Sequence, residues 1–223
     1  FMLINADFSR RAVVVPRQYQ WVPSPQGGVE RVMLDRVGAE KARATSIVRY
    51  APGSHFPPHQ HPGGEEILVL SGVFSEDGRH YRAGWYLRNP PGSSHQPSSQ
   101  EGALIFVKLL QMQAHERQAV RIDTRAASSW HGAKGREVCP LFSDDVEQTS
   151  LQRLAPGEAI FTVPVDGAEL LVLTGNVVAQ GESYERGSWI RLPAGQYPEF
   201  VAGTHGTTVY LKIGRLGERP IKV

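Results

Sequence analysis

Cysteine is all but absent, Cys139 being the only one in 223 residues. No intrachain disulfide and no multi-cysteine zinc site can therefore form. An excess of one charge is missing too: 24 Lys and Arg stand against 22 Asp and Glu, a formal +2, and no basic run exceeds the pair Arg10 and Arg11. Such a balance offers neither a stripe for a phosphate backbone nor a cluster for an anionic bilayer, so no nucleic acid and no membrane is expected as a partner. Long apolar runs are lacking. "ALIFVKLL" at 103–110 falls far short of a membrane span, and the first residues show no cleavable signal pattern, so a cytoplasmic location is the expectation. Helical periodicity sustained over a dozen residues is also missing, which argues against a helical bundle.

What the chain has instead is short β-prone runs between clusters of Gly, Pro and Ser. Expected strands are 43–51, 66–74, 80–88, 103–112, 150–155, 169–178, 188–193 and 207–214. With 40% hydrophobic residues the chain can bury a sizeable core, and the pattern predicts an all-β sandwich or barrel.

The chain also repeats itself. "APGS…GGEEILVLSG" at 51–72 returns as "APGE…DGAELLVLTG" at 155–175, and "GWYLRNPPGSSH" at 84–95 returns as "GSWIRLPAGQYP" at 187–198. Corresponding residues lie 103 or 104 positions apart, which makes two modules, 1–115 and 116–223, with the boundary expected in "QAHERQAV" at 113–120.

Ligand chemistry is concentrated in "PGSHFPPHQHPGGEEILVLSG" at 52–72. His59 and His61 are two apart, so on a strand both imidazoles share a face and can meet inside a barrel. After the turn at "PGG", Glu65 can return a carboxylate to the same place, whereas Glu66 has the opposite parity. His95, after the Gly-Pro turns of "NPPGSS", offers a fourth donor. His55 reads as a polar rim residue, and His80, His115, His131 and His205 have no partner at ligand spacing. Cys139 beside Pro140 reads as a buried structural thiol. Trp85, Tyr86 and Phe74 read as core or interface residues.

These residues resemble the cupin pattern: Gly53, His59, His61, Glu65 and Gly72, then Gly84, Pro90, Gly92 and His95, all at the family's spacing. Ser99 replaces the asparagine usual after the last histidine. The resemblance implies two tandem cupin barrels of the double-stranded β-helix or jelly-roll type, and it too selects Glu65 over Glu66. "WVPSPQGGVERVMLDR" at 21–36, the stretch 43–78 and "YLRNPPGSSH" at 86–95 are similar to the ChrR-type cupin-like domain. That group includes the zinc-binding half of the anti-sigma factor ChrR, and diketone-cleaving non-haem iron dioxygenases share its fold and ligand set. The segment before Trp21 has neither the length nor the cysteines of the ChrR sigma-binding domain, so a complete anti-sigma factor is not expected. In the second module Val163, Val165, Ala168 and Pro198 stand where ligands would be, and Glu169 aligns with Glu66. That module is expected to be a degenerate cupin domain, a scaffold or an apolar ligand pocket, leaving one divalent metal per chain.

Three imidazoles and one carboxylate suit Fe, Mn, Ni or Zn. A six-coordinate ion would keep two positions for water, oxygen or a bidentate substrate, whereas this set would close off four-coordinate zinc. Two functions follow. One is a sensing or regulatory module in which a small molecule at the metal alters a surface shown to a protein partner. The other is a metal-dependent dioxygenase acting on an enolisable β-dicarbonyl-like substrate, and no residue stands out as its general base. A homodimer is a further expectation, since exposed sheet faces of small barrels pair.

Overall fold

The computed structural model describes residues 2–39 and 41–217, almost entirely as antiparallel sheet. Two compact units emerge. One holds Gln20–Arg125 with the strand Met2–Ile4; the other holds Asp7–Tyr19 with residues 126–217. There are two units, as the repeat predicts, and each is a jelly roll, as the cupin resemblance implies. Among the described residues, no helix is long and apolar enough to cross a membrane.

The large sheet of the first unit runs Met2–Ile4, Val29–Gly38, Ala42–Tyr50, Ala103–Leu109, Glu65–Glu76, Trp85–Asn89, Val120–Asp123. Alternation does the sorting. Ile67 and Val69 point inward with Phe74, Tyr81, Leu87, Ile105 and Val107 to form one apolar cluster. Leu68 and Glu66 take the opposite face. A separate ribbon pairs His59–His61 with Ser93–His95. The second unit repeats the plan with Glu147–Leu154, Val201–Gly214, Val165–Ala179 and Trp189–Gly195 in the same order.

One expected strand is divided. Residues 80–88 form Arg79–Arg82 and Trp85–Asn89, parted at Gly84, whose φ of +98° suits glycine. Among the strands not foreseen, the two longest are Val29–Gly38 and Arg136–Ser143, and neither alternates cleanly between apolar and polar residues.

The module boundary also moves. Val120–Asp123 pairs with Trp85–Asn89 (Arg88 opposite Val120, Trp85 opposite Asp123), so the first unit extends past 115 to Arg125. Conversely, Ala12–Val14 pairs with the strand starting at Trp189 and belongs to the second unit. Both segments cover a sheet edge whose backbone groups would otherwise lack partners. They lie outside the repeat, so the repeat could not assign them.

Candidate metal centre

The ribbon sets the site. His59 lies directly opposite His95, and His61 is two residues along on the same face, opposite Ser93. The turn is closed by Gly64 N–H donating to the His61 carbonyl at 3.1 Å. Gly64 has φ +79°, and a Cβ there would meet the Met112 sulfur at 2.3 Å, so only glycine lets the chain turn this tightly before Glu65. Strand parity then sends Glu65 inward. Its neighbour Glu66 goes the other way, accepting a hydrogen bond from the Tyr86 hydroxyl at 3.0 Å and lying 3.6 Å from Arg88.

Three imidazole Nε2 atoms converge, with separations of 3.0 Å (His59–His61), 2.8 Å (His61–His95) and 3.0 Å (His59–His95). The rings stand nearly perpendicular to one another, at 83°, 83° and 78°. Glu65 completes the group from one side, Oε2 at 3.3 Å from His61 Nε2 and Oε1 at 3.6 Å from His95 Nε2. His95 and Glu65 are buried; His59 and His61 are half-buried.

Hydrogen bonds on the far side of two rings fix which nitrogen carries the proton. His59 Nδ1 donates to the Pro57 carbonyl at 3.3 Å, and His95 Nδ1 donates to Glu76 Oε1 at 3.4 Å. In the neutral rings both Nε2 atoms are then bare lone pairs, facing each other at 3.0 Å. Two lone pairs so placed repel unless a cation lies between them. Glu65 Oε1 is likewise buried without a hydrogen-bond partner. Donors about 2.1 Å from a common point and at right angles would be about 3.0 Å apart, against about 3.4 Å for a tetrahedral set. The observed spacing matches the right-angled case, and the donor set fits a divalent metal.

Electrostatics point the same way. Burial pushes His61 down to about 3, the charges of His95 and His59 adding to it. Burial, then His95, also lowers His59. Glu65 is pushed up to about 7, chiefly by burial. Burial alone would lower His95, but its hydrogen bond to Glu76 and the charges of Glu65 and Glu76 raise it instead. Burial thus drives Glu65, His59 and His61 towards neutrality, and the neutral imidazole is the form that can ligate a metal.

Sequence reasoning missed the surrounding residues. Glu76, which steadies His95, accepts from Arg121 Nη2 at 3.0 Å and from Asn89 Nδ2 at 3.4 Å, while Arg121 also donates to Asn89 Oδ1 at 2.6 Å. Arg121 lies beyond the expected boundary, so a break at 115 would have removed it from the site. Parity with Leu87 hints at Asn89, whereas Glu76 has the opposite parity to Glu65 and is brought inward only by the irregularity in its strand. Tyr50 packs edge-on against Phe56, ring centroids 5.3 Å apart. Burial, then the charges of Glu65 and Glu76, pushes its phenol up, which leaves it a protonated donor near the carboxylates.

The other candidates fall elsewhere. His55 is exposed, and His80 is hydrogen-bonded to Ser75 Oγ at 2.7 Å. Cys139 is fully buried, which pushes its thiol up to about 11 and makes it inert. Phe74 and Tyr86 are core residues, and Trp85 lies edge-on to Tyr81 at 5.3 Å.

In the second unit Val163 is 65% exposed, whereas Val165 and Ala168 are buried. Phe161, Tyr197 and Phe200 pack edge-on at 6.0 to 6.2 Å near these positions, beside a core that includes Ile160, Leu170 and Val172. That interior is filled by its own side chains, which favours the scaffold over the apolar pocket. Glu169, the counterpart of Glu66, accepts from Trp189 Nε1 at 2.7 Å.

Residues 9–113 match the ChrR Cupin-like domain. The fold of the whole chain is shared with solved cupin proteins. A pirin from Escherichia coli, YhhW, in complex with nickel(II), aligns with TM-score 0.68 at 12% identity, over 92% of this chain and 98% of that one. A candidate dioxygenase from Nostoc punctiforme aligns with TM-score 0.69 at 14% identity, over 98% of this chain and 84% of that one. A cupin 2 conserved barrel domain protein from Leptotrichia buccalis gives TM-score 0.58 at 12% identity, covering 86% and 92% respectively. At these identities the likeness is one of fold. No curated protein matches the sequence.

The bond from His95 to Glu76 makes a further expectation testable. Glu76→Gln should weaken nickel affinity about tenfold or more, since a neutral amide holds the imidazole less firmly and less basic than a carboxylate does. Competition against a chelator of known affinity measures it; unchanged affinity would reduce Glu76 to a structural residue.

Proposed function

We propose that the ChrR-type cupin-like domain holds one divalent metal on His59, His61, Glu65 and His95, and that the chain is a binding or sensing module receiving a small molecule there. The observation carrying this reading is the trio of Nε2 atoms 2.8 to 3.0 Å apart, two of them fixed as lone pairs, beside the unpartnered Glu65 Oε1. A metal bound by four protein donors keeps Lewis acidity for an outside oxygen ligand and, if iron or manganese, a redox couple. The residues do the rest. Glu76 and the Pro57 carbonyl hold the Nδ1 protons of His95 and His59, so the free Nε2 lone pairs stay aimed at one point. Phe56 and Phe74 pack against Tyr50, whose hydroxyl offers a donor near Glu65 and Glu76. The similarity to ChrR across residues 9–113, beyond the ligands themselves, favours the regulatory role.

A second reading, a metal-dependent dioxygenase acting on a small enolisable substrate, draws support from the right-angled donor spacing and from the likeness to the Nostoc candidate dioxygenase. Metal analysis of protein expressed without supplementation, followed by oxygen uptake of the iron-loaded form with pentane-2,4-dione and related enols, separates the two. The sensing reading expects about one metal per chain and no uptake beyond free iron. Sustained turnover would hand the function to the second reading, and absence of bound metal would overturn both.

A further inference from the structure

The inner wall of the first barrel carries two arginines that no acid among the described residues neutralises. Arg31 and Arg36 are five residues apart, which on a regular strand would put them on opposite faces. A bulge between Met33 and Asp35 changes the parity. Arg31 consequently lies opposite Val48, which packs against the inner apolar cluster, and Arg36 lies opposite Ala44. Ala44 is in turn opposite Leu109, and Leu109 is opposite Glu65. Arg36 is thus level with Glu65, three strands away along the same inner face. The floor between them includes Ala44 and Ser46, whose side chains take little room.

Neither guanidinium has a carboxylate partner among the described residues. Arg36 is 7% exposed and donates one hydrogen bond, Nη2 to the Ala39 carbonyl at 2.6 Å. Arg31 makes none, and its Nε is buried without an acceptor. Burial lowers Arg31; burial, and then the charge of Arg31, lowers Arg36; no acid opposes either shift. Arg36 is buried and Arg31 half-buried, and a cation withdrawn from water without a counter-charge is costly.

We propose that Arg31 and Arg36 form a carboxylate-binding wall, so that the molecule received at the histidine centre is a small organic anion, an enolisable oxo-acid rather than a neutral diketone. This rests on the reading of that centre as one that receives a small molecule. A planar carboxylate matches the fork of a guanidinium, and it would supply the acceptor that Arg31 Nε lacks. The other end of the acid, a carbonyl or enol oxygen, then faces the imidazoles across the small-residue floor.

The test compares two molecules differing by that group, 2,4-dioxopentanoate and pentane-2,4-dione, titrated calorimetrically into nickel-loaded protein. Wild type should bind the acid at least about tenfold more tightly. Arg31→Gln and Arg36→Gln should each erase most of that preference, leaving nickel content and affinity for the neutral diketone unchanged. Equal affinities in the wild type, or a preference surviving both substitutions, would overturn the wall. The same acid titrated into metal-free protein separates this proposal from the metal reading. Arginine-dependent binding there supports the wall even if nickel is not taken up, while normal nickel uptake without carboxylate preference refutes the wall alone. Because Arg36→Gln removes an uncompensated buried charge, ligand-free Arg36→Gln should melt no lower than wild type. A fall of more than about 5 °C would mark Arg36 as structural and count against the proposal.

Discussion

Nickel-reconstituted wild type is expected to carry about one metal per chain, and His59→Ala or His95→Ala to carry almost none after desalting. Each substitution removes one apex of a triangle whose edges are 2.8 to 3.0 Å, leaving two imidazoles and Glu65. Loss of an outer partner already costs ten- to a hundredfold in metal affinity, so loss of a ligand should cost at least about a hundredfold. His95→Ala has the second effect of freeing Glu76, which then keeps only Arg121 and Asn89. The barrel should persist, because Ile67, Val69, Phe74, Leu87, Ile105 and Val107 form an apolar core cluster that includes none of the ligands. Far-UV circular dichroism will show whether the fold is retained. Glu169→Gln is the control: it alters the second unit, where Glu169 bonds Trp189, and should leave the ratio at one. Elemental analysis giving two metals per chain, or full retention in both histidine variants, would overturn the ligand assignment.

The second large effect is expected at two glycines that the repeat puts in register. Gly72 has φ +72° and Gly175 φ +64°; at each, a Cβ would lie 2.1 Å from a backbone carbonyl oxygen, that of Gly102 or of Gly206. A methyl group cannot fit there without parting two hydrogen-bonded strands, and the left-handed backbone adds strain of its own. Gly72→Ala and Gly175→Ala should each cost at least about 2 kcal/mol, a fall of roughly 10 °C in the melting of the unit concerned. Only Gly72→Ala should also weaken metal binding. Gly72 is the bend beyond which the same strand delivers Phe74 to the core and Glu76 to His95, so shifting that half-strand moves the group that orients the imidazole. Calorimetric melting with a nickel competition assay reads both outcomes. A loss below about 2 °C in either variant would show that the strands yield easily, and equal nickel affinity in the two would detach Glu76 from the metal site.

Much of this protein was legible from its residues. Short β-prone runs gave the central strands of both large sheets, and the recurrence at 103 or 104 positions gave the two barrels. His59, His61 and Glu65 share a face by parity alone, and the glycines at the turns explain how His95 can join them. Those are local matters, settled over a few residues by sterics and alternation. Pairing over long distances is a different problem, because a strand's sequence says which face is apolar but not which edge it will meet. That is why Ala12–Val14 ended in the second unit and Val120–Asp123 in the first, against the expected division at 115. The move brings Arg121 to Glu76 and gives His95 its support. The bulge after Met33 had the same standing: one extra residue in one strand, invisible to periodicity, turned Arg31 and Arg36 to the same inner wall. Local pattern therefore settled the barrels, their duplication and which side chains gather in the His59, His61, Glu65 and His95 cluster. Tertiary structure decided which groups orient those donors and which charges face them, because both depend on strand register across dozens of residues, and packing, not local preference, sets that register.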